Sequence, residues 1–400
     1  MDRQLTRDVA APVERGWSPR ALTAILVAQF IAFGIVLGVQ GVIWIEVMTN
    51  LALSEGIFGT LQLALPLVGL LVLMFNGQLY TGLGTKLQSI VALALLGAGM
   101  LVLAVTDNLW TFTLALALSG LGFAMLDAAT NSAGMDLEQA TGRHVMNIMH
   151  GLQSAGVMAG AVVTGLVLAA GLSFQAVSAL SVLVFCVPVV LATLPVRFAP
   201  ALQEDDSSAG DGSLLRSPAF LKLAGITFLG SAAEAVAVVW TVIYVVNLDA
   251  PIALSGVTYA IFNGAMLVGR FLNAPVVARF GPRVSLLISS LGILVAVVPL
   301  LVFDNVGTAV VAFTVLGLAV AGVQPTALSA AAPLAANTGS VAAGIMMSAY
   351  AALLVAPLAY GWVADFTSLR AAMLVLGLCG FFAVWLSLRL PRAKATAPTP

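Results

Sequence analysis

Charge is what this chain has least of. Of its 400 residues, 16 are Lys or Arg and 17 are Asp or Glu, so 8% are charged while 61% are hydrophobic. A water-soluble chain of this length could not cover its surface with so few charges. The net charge of −1 offers no basic footprint for a nucleic-acid partner. Cysteine is nearly absent. Cys186 and Cys379 both sit in apolar runs, which implies neither a disulfide framework nor a metal site. There is no G-x-x-x-x-G-K-[ST] phosphate loop and no soluble segment to hold one, so an ATP-driven pump is excluded. No Ser/His/Asp or Cys/His arrangement stands out, so no enzyme and no cofactor are expected. No short apolar segment with a cleavage site precedes the first long apolar run.

What is abundant is apolar sequence in long runs, at a mean hydropathy of +1.08. Twelve runs follow one another at 22–45, 56–75, 87–105, 109–134, 147–170, 174–194, 220–246, 254–274, 284–303, 308–331, 341–363 and 369–388. Most reach the ~20 residues that cross a hydrocarbon core. Backbone polar groups in lipid must be paired within the segment, so the runs are helices. The fold class is therefore all-α and membrane-embedded. The stretch 195–219 is acidic and rich in Ser, Gly and Pro, and reads as a solvated linker. It divides the chain into a tail (1–21), a six-helix bundle (22–194), a second six-helix bundle (220–388) and a second tail (389–400).

An even helix count puts both tails on one side. Nearly every basic residue falls there, among them Arg3, Arg20, Lys86, Arg143, Arg197, Arg216, Lys222, Arg279, Arg283 and Arg389. Arg370 falls opposite, where the loops carry Glu46, Glu55, Asp107, Asp249, Asp304 and Asp365. The positive-inside rule then sets both tails in the cytoplasm and the protein in the inner membrane.

The two halves repeat. Gly77-Gln-Leu-Tyr-Thr-Gly-Leu-Gly84-Thr-Lys86 joins the second and third runs, and Ala274-Pro-Val-Val-Ala-Arg279-Phe-Gly281-Pro-Arg283 joins the eighth and ninth. Each has a small residue, then Gly, then a base. Internal repeats mark secondary transporters, whose sites lie between the repeats near mid-membrane. The pattern resembles the G-x-L-a-D-r-x-G-r-k loop of the major facilitator superfamily, with Thr81 and Ala278 where that loop has its acid. Within that superfamily, Asp127-Ala-Ala-Thr-Asn131, Asn147 and Met149-His150-Gly151 resemble the fourth and fifth helices of the fucose–proton symporter group. The match is nearer still to the YbjJ-type permeases. Leu53 to Gly59, Glu234 with Trp240 and Tyr244, Gly317 to Pro325, and Tyr350 with Pro357 and Gly361 add to the likeness. Those symporters carry an acid in their first helix. The comparable stretch, Gly34 to Gly41, has none, so the likeness does not extend to sugar specificity. The resemblance implies alternating access by two rocking bundles, a small-molecule substrate and protons as coupling ion.

The residues themselves nominate a site. Asp127 lies nine residues before Asp136, and His150 lies seven after Arg143. Helix rise sets both roughly a third of the way into a bilayer, where an ionisable group is a functional candidate by default. Asn131, four after Asp127, shares its face. Desolvation favours the neutral form of a carboxyl, which suits reversible proton binding. Two roles are open to Asp127: proton carrier, or structural partner of Asn131. His150 either relays protons with Asp127 or packs against the loop. Glu234 offers a second acid, and Trp240 a ring that either stacks on a solute or joins an interfacial belt. Gln29, Gln40, Gln62, Asn263 and Gln324 either read hydroxyls or join helices by hydrogen bonds. Arg270, near the end of its helix, suits snorkelling or a structural ion pair.

Together these features read as proton-coupled uptake of a small, neutral, polar, sugar-like solute by a monomer. The alternative is proton-driven export of apolar compounds. A Gly-Pro step in the fifth helix, frequent in drug antiporters, is absent from Gly156-Val-Met-Ala-Gly160. The basic-residue bias makes one expectation concrete. Cysteine tags at Ser207 and Asp304 are to label from opposite sides of the membrane, with Ser207 cytoplasmic, and same-side labelling would break the twelve-helix map.

Overall fold

The computed structural model describes residues 18–142, 145–198, 217–334 and 338–391. Most of both tails, Ser207 and most of the acidic linker lie outside them. Among the described residues, eleven helices are long and apolar enough to cross a membrane. The longest, Ile252–Val302, has 51 residues. At 1.5 Å per residue it would be about 77 Å long, more than twice the ~30 Å hydrocarbon core. It is not one rod: Gly281 leaves helical geometry at φ 79°, ψ 167°. The chain therefore makes twelve spans, with spans 8 and 9 meeting at Gly281. Spans 1 to 7 are Pro19–Asn50, Glu55–Val72, Gly82–Ala104, Leu109–Thr141, Ile148–Ala169, Phe174–Thr193 and Pro218–Val246; spans 10 to 12 are Val306–Leu334, Gly344–Phe366 and Leu369–Leu388.

The repeat is physical as well as textual. Gly84 sits at φ 69°, ψ 157° within Asn76–Ala104, nearly the same conformation as Gly281. That region of backbone space is open essentially to glycine alone. The base two residues later does the same work in each half. Lys86 Nζ donates to the Leu194 carbonyl at 2.6 Å, and Arg283 Nη2 donates to the Leu388 carbonyl at 2.7 Å. Each satisfies an orphan carbonyl at the end of its half's last span. The caps repeat too. Ser18 and Ser217, each followed by Pro at the first helical position, cap spans 1 and 7. Asn108 and Asn305 cap spans 4 and 10.

Several boundaries differ from those read in the sequence, and the cause is local. The stretches taken as connecting loops, from Gly77 and from Ala274, are helical up to the residue before each glycine's turn. Arg279 lies on this helical part, its guanidinium 5.2 Å from the Phe280 ring. Prolines interrupt three spans. Pro66 has no N–H and its ring crowds the carbonyl four residues back, at Gln62; span 2 breaks at Gln62 and Leu63. Pro325 acts likewise on Ala321, and span 10 breaks there. Pro188 follows a π-helical turn at Val182–Cys186 in span 6.

Glycine brings backbones together. Gly34, Gly38, Gly156 and Gly160 leave spans 1 and 5 in backbone contact, and a Cβ on any of them would strike the other span's carbonyls. Between the halves, span 5 meets span 8 and span 2 meets span 11. At Gly59 a Cβ would come within 2.7 Å of the Pro357 carbonyl, and at Gly256 within 2.7 Å of that of Ala161. These contacts lie toward the side away from Pro19 and Leu388, here the far side. Their fit there sets the two bundles against each other.

The matched turns generate a paired expectation. Gly84→Ala and Gly281→Ala each force an L-residue into that backbone region, at a cost of ~1–3 kcal/mol. Thermal unfolding in detergent is to show both variants melting below the wild type by similar amounts; an unchanged melting temperature in either would mean that its turn relaxes freely.

Candidate functional site

A cavity of about 230 Å³ lies between the halves. Spans 1, 2 and 4 supply one wall, with Phe33, Gln40, Trp44, Gln62, Phe123 and Asp127; spans 7, 8 and 11 supply the other, with Ala235, Val238, Val239, Tyr259, Tyr350 and Pro357. Apolar and aromatic surface dominates, with a few polar groups placed in it, the usual make-up of a small-molecule site.

Asp127 stands in that wall and begins a chain of hydrogen bonds. Asn131 Nδ2 donates to its Oδ1 at 3.0 Å and to its backbone carbonyl at 2.8 Å. Asn131 Oδ1 meets His150 Nε2 at 3.0 Å, and His150 Nδ1 meets Gln153 Oε1 at 3.2 Å. Asp127 and His150 therefore do not touch; Asn131 stands between them. Both ring nitrogens stand within hydrogen-bond reach of amide oxygens, Asn131 Oδ1 and Gln153 Oε1, and which of them donates follows from how each amide is turned. Turning the Asn131 amide over would present N–H to the imidazole and oxygen to the carboxyl. That suits a neutral ring and a protonated acid. One amide can thus serve two protonation states of the chain. The Phe30 ring lies edge-on to His150 at 5.1 Å and helps fix its plane.

The other nominated residues divide. Glu234 is half-buried on span 7 and interacts electrostatically with Arg270; its helical neighbour Ala235 reaches the cavity wall. Asn263 turns Nδ2 back onto the Tyr259 carbonyl at 2.9 Å. Gln324 donates to Met346 Sδ at 2.9 Å. It follows Gly281 at the same distance in sequence as Asp127 follows Gly84, so the two are repeat equivalents. Gly77 and Asn147 lie in helical backbone, and the Asn147 side chain is outside the described set.

Trp240 is fully buried. Its ring packs at 5.5 Å from Phe58 and 5.0 Å from Tyr360, away from the lining residues of its own span. Tyr244 is buried as well and donates to the Leu300 carbonyl at 3.0 Å, so neither belongs to an interfacial belt. Trp44, itself in the cavity wall, lies 6.1 Å from Phe58. The rings therefore floor the cavity on the far side. Beyond them Ser54 donates to Asp365 at 3.2 Å and Trp362 to Thr60 at 3.0 Å, both across the halves.

Tyr259 lines the cavity and, like Phe33, Trp44 and Phe123, was not nominated from the sequence. It packs on Gly41 of the opposite half, a contact between spans that no spacing rule reports. Gln40 and Gln62 were visible as polar residues in apolar runs, but nothing in the sequence ranked them above the other glutamines.

Twelve spans in two repeated bundles, with a small cavity between them and an ionisable chain in its wall, define a membrane transporter of the two-bundle kind. The chain belongs to the Major Facilitator Superfamily, whose profile matches residues 25–352. It is 28% identical to the uncharacterized transporter y4wD of Sinorhizobium fredii over 363 residues, 88% of this chain and 93% of that one. It is 25% identical to an uncharacterized MFS-type transporter of Yersinia pestis over 328 residues, 81% of this chain and 84% of that one. In fold it is similar to the nucleoside transporter NupG, at a TM-score of 0.72 and 13% identity over 93% of this chain and 98% of that one. A bacterial homolog of the human lysosomal transporter Spinster, inward-facing and occupied, gives 0.69 and 13% over 95% and 98%. The protein is a transporter and not an enzyme.

Trp240→Ala removes a fully packed indole and is to lower stability by ~3–5 kcal/mol. A melting temperature equal to that of the wild type would show that the ring is not part of the packed floor.

Proposed function

We propose that the protein couples proton movement to uptake of a small, neutral, polar solute across the inner membrane, as a monomer with both termini cytoplasmic. The chain Asp127–Asn131–His150 carries this reading, because it reaches the wall of a cavity that both halves line. A carboxylate at that depth must be paired, hydrated or neutralised. Here it is paired through an amide that also fits the protonated acid. Asp127 is the proton carrier and His150 its partner. Glu234, which interacts with Arg270, is the second half's acid, and Asn263 and Gln324 are that half's supporting polar groups. The glycine–base turns at Gly84 and Gly281 hold each bundle together as it rocks.

Cavity size bears on the solute. The volume of about 230 Å³ lies below the ~300–1,000 Å³ of drug-sized sites. That favours a compact solute over the alternative, export of apolar or drug-like compounds, which the largely apolar walls favour. The basic-residue bias of the sequence supports the orientation.

The test separates accumulation from exchange. Asp127→Asn in vesicles is to lose uphill, pH-driven uptake while keeping counterflow, because exchange needs no net proton release. His150→Ala is to shift the pH optimum without removing transport, since water can take its place. Undiminished accumulation by Asp127→Asn would eliminate it as the proton carrier.

A further inference from the structure

We propose that Gln62 is the residue through which the cavity selects its solute, and that the solute is an uncharged compound offering an acceptor oxygen to Gln62 and a hydroxyl to Asp127. This rests on the transport reading above and names the chemistry of its site.

Gln62 is only 6% exposed, lines the cavity, and its Nε2 has no acceptor among the described residues. A buried donor without a partner is costly, and in a native protein it calls for a cause. As placed, that Nε2 has almost no open surface; a turn of the Gln62 amide about its last side-chain bond presents it to the cavity, where a bound oxygen atom accepts from it. Gln40, the other amide in the wall, is already engaged: its Nε2 donates to Ser119 Oγ at 3.1 Å and meets Met100 Sδ at 3.4 Å. Backbone geometry adds to the case. Span 2 breaks at Gln62 because Pro66 cannot return an N–H to the Gln62 carbonyl. Interrupted helices at mid-membrane are where transporters of this kind expose polar groups to a ligand. Tyr259 stands before Gly281 as Gln62 stands before Gly84, so the repeat equivalents face one cavity from opposite halves.

The charge of the wall sets the solute class. Asp127 is the charged residue among the described lining, which includes no Lys, Arg or His. An anion entering would meet a carboxylate and no counter-charge. A cation would find that carboxylate already linked through Asn131 to His150. An uncharged solute with both donors and acceptors meets neither penalty.

The test uses the full-length wild type and Gln62→Leu in nanodiscs. Binding of D-glucose and uridine is measured by calorimetry and thermal shift, with glucuronate and glucosamine as charged counterparts of the first and uridine monophosphate of the second. The wild type is to bind at least one neutral probe and to bind its charged counterpart at least tenfold more weakly. Gln62→Leu is to bind that neutral probe at least ~10-fold more weakly, while its ligand-free melting temperature stays equal to or above the wild type's. Replacing an unpaired buried donor by an apolar group of similar shape is neutral or stabilising. Binding by Gln62→Leu within twofold of the wild type would overturn the role of Gln62, as would a ligand-free melting temperature several degrees lower, which would make the amide structural. Equal binding of a charged counterpart would overturn the solute class. A wild type that binds none of the neutral probes would overturn the neutral-solute reading itself.

Discussion

A backbone amide or carbonyl left unpaired in hydrocarbon costs several kcal/mol, and the whole architecture follows from avoiding that cost. It makes every apolar run a helix. It also makes the few places where the helical ladder fails informative, because each must be compensated. At Gly84 and Gly281 the chain leaves helical geometry where only glycine can, and a base two residues on caps the last carbonyl of its half. These turns lie at the membrane edge, where water and long basic side chains reach them. The break at Gln62 is of another kind. It lies beside the cavity, and a ligand rather than solvent can complete it.

Close packing and the cavity are two outcomes of one distribution of small residues. Where glycines face carbonyls, as along spans 1 and 5 and at Gly59 and Gly256 between the halves, backbones meet. Dispersion and weak C–H···O contacts then replace the hydrophobic effect, which gives no advantage between helices in lipid. Where large rings stand instead, the backbones are held apart. Phe33, Trp44 and Phe123 keep a space open in the middle of the molecule, while Phe58, Trp240 and Tyr360 fill it toward the far side.

Much of this was legible in the amino-acid sequence, and the part that was not has a physical reason. Apolar run length counts spans well, because hydrocarbon thickness is fixed. The Gly-x-base repeat located two turns of matching conformation, because the backbone strain admits one residue type. Depth along a helix is readable too: the rise per residue set Asp127 and His150 level, and two hydrogen bonds through Asn131 separate them. Rotation about the helix axis is not readable when a span is apolar all round, since no polar face marks the outside. That is why an indole at Trp240 could be read as facing a solute when it packs into the floor, and why Tyr259 went unnoticed. Its partner is Gly41, in the other half of the chain. Proline positions carry a further signal: Pro66 and Pro325 each mark a helical break four residues upstream.

The repeat also shows where the halves part company, and the difference has a mechanical consequence. Asp127 and Gln324 are equivalent by position, yet one is an acid in the cavity wall and the other an uncharged amide bonded to Met346. Gln62 and Tyr259 are equivalent as well, one a flexible amide and the other a rigid ring packed against the opposing bundle. A solute can shift an equilibrium between open states only by binding one of them better than the other. A perfectly symmetric cavity would offer similar contacts whichever side was open. With the ionisable chain confined to the first half and the ring contact supplied by the second, the contacts that a solute makes must change as the bundles rock. In the present arrangement Tyr259 reaches Gly41 and the far-side rings close beneath it. Parting the bundles on that side would withdraw Tyr259 from the wall that bears Gln62 and Asp127, and so weaken the grip on a solute held between them.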